Sequence, residues 1–261
     1  MTTLEHKISL VLALTRREIE QRHRGSFAGT SWYVINTLLS VGLYSWVFGT
    51  LFGARWTEAG RTPVSFALAI VIGLLIYNCF AECIQRAPTL ILNNANYVTR
   101  VVFPLEVLPV VSIGTALFNL MIGIAIFVVV ALASGQAVTW SVLYLPLILA
   151  PFVVLILGLM WFLASIGVFV RDTSQLINFV SMALMFLSPL FYPSQMLPEQ
   201  LRTFMIYNPI TIPMEMARAA ALFGQAPDFS ILGLYAAAAL AVGVLGYSWF
   251  QATRRGFADV I

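Results

Sequence analysis

The sequence predicts an all-α integral membrane protein with six transmembrane helices. An N-terminal amphipathic interfacial helix precedes them, and a re-entrant helical hairpin lies between spans 5 and 6. Three observations lead to this fold class. Hydrophobic residues occupy 60% of the 261 positions and charged residues only 10%, against about 45–50% and about 25% in ordinary soluble domains. No charge interrupts residues 107–170, an interval that holds two spans of about 20 apolar residues each. The few charges sit beside the apolar runs, where membrane topology places them.

Residues 1–29 form the first unit, a cytoplasmic amphipathic helix. Leu4, Ile8, Val11, Leu12, Thr15 and Ile19 recur at spacings of three and four, while Arg16, Arg17, Glu20 and Arg24 fall mostly elsewhere around the helix. Because the first span follows at once, this helix is expected to lie in the membrane interface, with Arg16, Arg17, Arg22 and Arg24 toward lipid headgroups. The segment lacks the short apolar core and small-residue cleavage site of a leader, so none is expected to be removed.

Residues 30–261 form the membrane domain. Its first span, 32–52, is bracketed by Trp32, Tyr33 and Trp56, as aromatic belts require. The second, 63–81, stops where Glu82 and Arg86, four residues apart, can pair on one helical face. A polar stretch with Asn93, Asn94, Asn96 and Arg100 leads to the third span, 107–133, and Ser134, Gly135 and Gln136 make the turn that follows. The fourth span, 140–170, ends at Arg171 and Asp172; the fifth covers 173–191 and the sixth 230–250.

The connector between spans 5 and 6 contains Pro193, Pro198, Pro209, Pro213 and Pro227, yet it is too apolar for an exposed loop. Two short helices, 199–207 and 211–223, separated by Asn208 and Pro209, account for the pattern. Irregular backbone at membrane depth must be buried in protein or line an aqueous cavity, which favours a re-entrant hairpin over a surface cap. With the N-terminus inside, Lys and Arg divide ten to four in favour of the cytoplasmic segments, so both termini are expected to be cytoplasmic.

Composition also excludes functions. The pI near 9.0 accompanies a net charge of only +3 and no long basic patch, so topology explains it and nucleic acid is not an expected partner. The only lysine is Lys7, and no phosphate-binding loop is present, so ATP is not hydrolysed by that route. His6 and His23 lack metal-ligand spacing, and Cys79 and Cys83 read as buried inert thiols, so no metal is expected. The spans as bounded above hold no ionisable group of the kind ion-driven carriers use. Their Asn36, Asn78, Asn119 and Asn178 are of the type that more often joins helices than binds a substrate.

Arg16, Arg17, Glu18, Arg22, His23, Arg24, Gly25, Ser26, Gly29, Trp32 and Asn36, the run VFPLEVLP (102–109), the run SPLFYPSQMLPEQLRTFMIYNPIT (188–211) with Glu215, Met216 and Arg218, and the ending RRGFADVI together resemble a family. They are similar, in order and over nearly the whole chain, to ABC-2 type permeases that export bacterial surface polysaccharides. Two positions depart from the family's pattern: His23 stands where an aromatic residue is common, and Thr37 follows Asn36 where proline is usual.

The resemblance implies a homodimeric permease of the bacterial inner membrane that works with two copies of a cytoplasmic ATPase. Its substrate would be a lipid-linked polysaccharide, O-antigen foremost; capsular polysaccharide, teichoic acid, a drug or a small lipid are the alternatives, and a non-transporting scaffold for glycan synthesis is the reading outside transport. No cofactor would belong to this chain, since ATP and Mg would be held by the partner. Glu82, Arg86, Asn93, Asn94, Arg100, Arg171 and Asp172 would couple to the ATPase. Tyr192, Pro193, Pro198, Tyr207, Pro209, Glu215 and Arg218 would form a periplasmic gate, and Tyr44, Tyr77 and Phe80 would line the pathway, where aromatic rings offer apolar faces to a sugar chain.

Overall fold

The computed structural model describes residues 3–22, 31–51, 63–99, 103–136, 139–190, 205 and 207–261, and among these all regular structure is helical. Helix α1 spans Thr3–Arg22, α2 Ser31–Leu51 and α3 Pro63–Arg86. Two 3₁₀ turns, Ala87–Thr89 and Leu92–Asn94, lead into the short α4, Ala95–Thr99. Then come α5 (Val107–Ala133), α6 (Leu145–Phe169), α7 (Thr173–Phe186), α8 (Thr211–Phe223), α9 (Phe229–Thr253) and the terminal turn α10 (Phe257–Val260).

Four stretches, Ala67–Thr89, Val107–Ala133, Trp140–Phe169 and Phe229–Val260, are long and apolar enough to cross a membrane; α2 and α7 contribute the shorter apolar helices Val34–Tyr44 and Thr173–Phe186. Their ends follow local chemistry. Gly135, at φ +73°, turns the chain after α5, where a side chain would be strained. Asp228 caps α9 by accepting the backbone N–H groups of Ser230 and Ile231 at 2.9 and 3.2 Å. Gly224, at φ +66°, closes α8. Thr37 does not break α2, which continues through it with Thr37 buried.

Helix α3 is the axis of the molecule. In its most apolar window 83% of residues are buried, against 28–44% in the other three long stretches. It packs on α2, α5, α6, α7 and α8. Among the described residues α6 packs most extensively on α9, where Gly158, Gly243 and Gly246 bring the backbones together: a Cβ on Gly246 would lie 2.0 Å from the Gly158 carbonyl oxygen. Small residues at such crossings replace the hydrophobic drive that is missing between helices in lipid.

The two ends of the bundle differ. One end holds the start of α3, the 3₁₀ turn Trp140–Tyr144 and α8, joined by the Ser141 hydroxyl donating to the Ala220 carbonyl at 2.8 Å. Helix α8 is set into the bundle, with Met214, Ala217, Ala220 and Ala221 buried against α3 and α6. The opposite end gathers the end of α3, the turns at 87–94, the α6–α7 turn and the C-terminus, whose Phe257 is fully buried beside Phe169 and Phe250. Here Arg254 donates to Glu106 at 3.2 Å, and the Trp161 indole N–H donates to the Glu106 carbonyl at 3.1 Å.

Candidate functional site: a polar furrow along the central helix

Most of α3 is apolar and buried, but one side carries Leu74, Asn78, Glu82, Gln85 and Arg86 at helical spacing. From Asn78 to Arg86 this stripe rises about 12 Å at 1.5 Å per residue. Neighbouring helices supply its walls. Asn119 of α5 donates its amide N–H to Glu82 Oε2 at 3.2 Å. On the other flank, Tyr77 Oη–H donates to the Ser181 carbonyl of α7 at 3.2 Å and Gln85 Nε2–H donates to Ser181 Oγ at 3.2 Å.

Arg86 closes the lower end. Its Nη2 donates to Glu18 Oε1 of α1 at 2.5 Å, a charge-assisted bond, and its Nη1 stands 3.9 Å from Glu82 Oε1. The Arg86, Glu18 and Glu82 side chains are 36%, 25% and 19% exposed, so solvent screens the group only in part. Glu18 reaches Arg86 because α1 packs on α5 through the face that also carries Thr15; Ile8 and Leu12 lie outward.

The side chains border an open cleft of about 490 Å³, lined by Leu75, Tyr77, Asn78, Cys79, Ala81, Glu82, Gln85, Arg86, Ala116, Asn119 and Leu120. A second cavity of about 140 Å³ is bounded by Asn36, Thr37 and Ser40 of α2 and by Val71, Leu74, Leu75 and Asn78. Leu75 and Asn78 border both, so one polar furrow runs from Arg86 up to α2. Its donors, acceptors and apolar walls suit a hydroxyl-rich molecule. No group of three or more His, Cys, Asp or Glu that can hold a metal occurs among the described residues.

The structure brings some of the predicted residues together and separates others. Tyr77 borders the cavity, whereas Phe80 does not: it is 1% exposed and packs on Phe152 with ring centroids 6.2 Å apart, so its pathway assignment is corrected to a core residue. Tyr44 is half-buried on α2. Glu82 and Arg86 share the furrow, and Asn94 donates to its own Leu90 carbonyl at 2.8 Å while Asn93 is exposed. Arg171 and Asp172 lie exposed in the α6–α7 turn at the same end. Arg16 pairs with Glu20 at 3.0 Å on the open side of α1, Arg17 is exposed and Arg22 is the last residue of α1.

At the other end, Arg218 Nε donates to the Ala69 carbonyl at 3.0 Å and Nη2 to the Leu190 carbonyl at 3.4 Å, tying α8 to α3 and to the segment after α7. The Pro209 carbonyl accepts from Tyr235 Oη at 2.8 Å, Tyr207 is exposed and Glu215 is half-buried. Arg24, Arg100, Tyr192, Pro193, Pro198 and the expected helix at 199–207, apart from Met205 and Tyr207, lie outside the described residues.

Sequence reading missed three participants, Gln85, Glu18 and Ser181. Ending the second span at Ala81 hid the stripe: α3 continues unbroken to Arg86, so Glu82 belongs to the same helix as Asn78. Gln85 was legible as the same stripe's next turn. Glu18 interrupts the face that carries Val11, Thr15 and Ile19, which is its signal. Ser181 carried none, since a serine in an apolar helix commonly bonds to its own backbone.

Comparison with known proteins identifies relatives along nearly the whole chain. The chain is similar to the O-antigen export system permease protein RfbA of Myxococcus xanthus, 28% identical over 97% of this chain and 95% of that protein. It is 22% identical to the protein of the same description from Klebsiella pneumoniae, over 99% and 97%. It is also 21% identical to the polysialic acid transport protein KpsM of Escherichia coli, over 91% and 92%. The model of ABC-2 type transporters matches residues 9–222, from within α1 to the last turn of α8. A match over that much of a multi-helix membrane chain is decisive: the protein belongs to the ABC-2 type transporter family.

Proposed function

We propose that this chain is the permease subunit that carries a lipid-linked polysaccharide, O-antigen foremost, across the bacterial inner membrane with energy from a separate ATPase. The observation that carries the reading is near-full-length similarity to permeases described as O-antigen exporters from two genera. The polysialic acid relative makes capsular polysaccharide the second reading.

The geometry supports a path along α3. Asn36, Asn78 and Asn178 are exposed, and the Asn78 and Asn178 side chains make no hydrogen bond among the described residues. An amide facing hydrocarbon is costly, so such groups belong against water, substrate or another protein surface. In this reading two copies of the chain face each other across the furrow and enclose the route. Six spans cross the membrane, with α2 and α7 as the two shorter ones, and α8 belongs to a re-entrant hairpin that gates the outer end through Arg218 and Pro209. Both termini are cytoplasmic, and the segment 82–104 contains the part that docks on the ATPase, with the Arg171 and Asp172 turn and the N-terminal helix nearby.

Deletion of the gene tests the reading. Surface polysaccharide is expected to disappear and lipid-linked glycan to accumulate inside, with export restored by the intact chain. Normal surface glycan in the deletion strain overturns it.

A further inference from the structure

The ending RRGFADVI lies beyond the family match at residues 9–222 and borders neither furrow cavity, yet it is folded into the bundle, with Phe257 fully buried. We propose that this stretch positions the ATPase-docking segment: Phe257 and Arg254 hold α4 and Glu106 in the place where the separate ATPase subunit seats. The inference rests on the permease reading for the existence of that subunit, and it adds the element that keeps its docking site in shape.

The docking segment cannot hold itself. Helix α4 has five residues, too few for a helix to be stable on its own hydrogen bonds. The 3₁₀ turns before it, Ala87–Thr89 and Leu92–Asn94, have no side-chain cap at their starts. Tyr97 and Phe103 stack with ring centroids 4.5 Å apart, which draws the two ends of the stretch together. Its placement against the bundle must come from packing, and α10 packs on both α4 and α6.

Phe257 makes that support firm. Its ring lies 5.9 Å from Phe169 of α6 and 5.5 Å from Phe250 of α9, so the turn behind α4 is fixed to two long helices at once. Arg254, three residues earlier, donates to Glu106 Oε2 at 3.2 Å and to Gln251 Oε1 at 2.9 Å. Glu106 stands where the docking segment enters α5, and its side chain is 13% exposed, so the pair is partly sheltered from solvent. One apolar and one charged anchor thus brace the stretch 95–106 against α6 and α9. Close-packed interiors transmit strain, so a push from the ATPase reaches the spans through these contacts instead of being lost in a yielding loop.

The test uses the purified permease with its ATPase subunit in nanodiscs. ATP hydrolysis is followed as the ATPase subunit is titrated, which gives a half-saturating concentration and a maximal rate, and the unfolding temperature of each permease variant is measured alongside. Phe257→Ala is expected to raise the half-saturating concentration about tenfold, and Phe257→Leu to return it close to the wild-type value. Arg254→Gln, at an exposed position, is expected to raise it about threefold, in keeping with a part-exposed ion pair, and covers the case in which Phe257→Ala fails to assemble. Phe152→Ala is the packing control. It removes a fully buried ring near the opposite end of α6, and is expected to lower the unfolding temperature with half-saturation unchanged.

An unchanged half-saturating concentration in Arg254→Gln, or in a folded Phe257→Ala, overturns the proposal. An equal rise in Phe152→Ala also overturns it, since Phe257 is then a packing residue alone. Failure of the permease reading is seen separately, as normal surface glycan after gene deletion.

Discussion

At the residue scale, Arg86 does most to define the site, because it joins α1 to the floor of the furrow. Its bond is to Glu18, with Glu82 3.9 Å away, and removing one partner of a part-buried pair costs about 1–3 kcal/mol. Arg86→Glu goes further, since it places a third carboxylate beside the other two. The expected outcome is normal membrane insertion on blots of membrane fractions with surface polysaccharide reduced at least to background. Export at the wild-type level would remove Arg86 from any coupling role. Asn208 shows the same economy at the other end: its amide N–H donates to the Leu184 carbonyl at 3.1 Å and its Oδ1 accepts from the Ile210 N–H at 3.0 Å, so one side chain fixes the connector to α7.

At the scale of elements, backbone approach sets the arrangement. Gly167 lets α6 meet the 3₁₀ turn after α3, where an added Cβ would lie 2.0 Å from the Pro88 carbonyl oxygen. Backbone cannot swing aside as a flexible side chain does, so Gly167→Ala and Gly246→Ala each force the packed elements apart, at about 1–3 kcal/mol for overpacking. Thermal unfolding of the detergent-purified protein is expected to drop for both. Gly233→Ala, with nothing within 4 Å of the added atom, serves as the control; it is expected to be neutral or slightly stabilising, since alanine favours helix by about 1 kcal/mol. Gly167→Ala is also expected to lower export more than Gly246→Ala, because it displaces the turn that carries the proposed docking segment.

At the scale of the whole molecule, the chain gathers its proposed ATPase-facing parts at one end and α8 at the other. Cys79 and Cys83 are the only cysteines and both are buried, so the native chain is a clean background for accessibility mapping. A membrane-impermeant maleimide is expected to leave wild type unlabelled in intact cells, to label Ser134→Cys from outside, and to label Asp172→Cys only once the membrane is opened. The reverse pattern would invert the orientation and move the docking surface to the α8 end.

How much of this was legible in the sequence depended on period and on sequence distance. Residues 107–133 and 211–223 were read with the boundaries the structure gives, because a long apolar run or a glycine stop needs only local information. Residues 63–81 fell short, because Glu82 reads as an end when only composition is weighed. Local chemistry thus determined by itself that the protein is helical, membrane-embedded and built of apolar spans joined by polar turns, and the motifs along it were enough to suggest the family. Only the tertiary structure decided that Glu18, Glu82, Arg86 and Asn119 meet, that Phe80 packs away from the furrow, and that Arg218 spans α3 and α8. Those facts depend on which helix faces lie together, and packing of side chains far apart in sequence settles that, not any pattern within one helix.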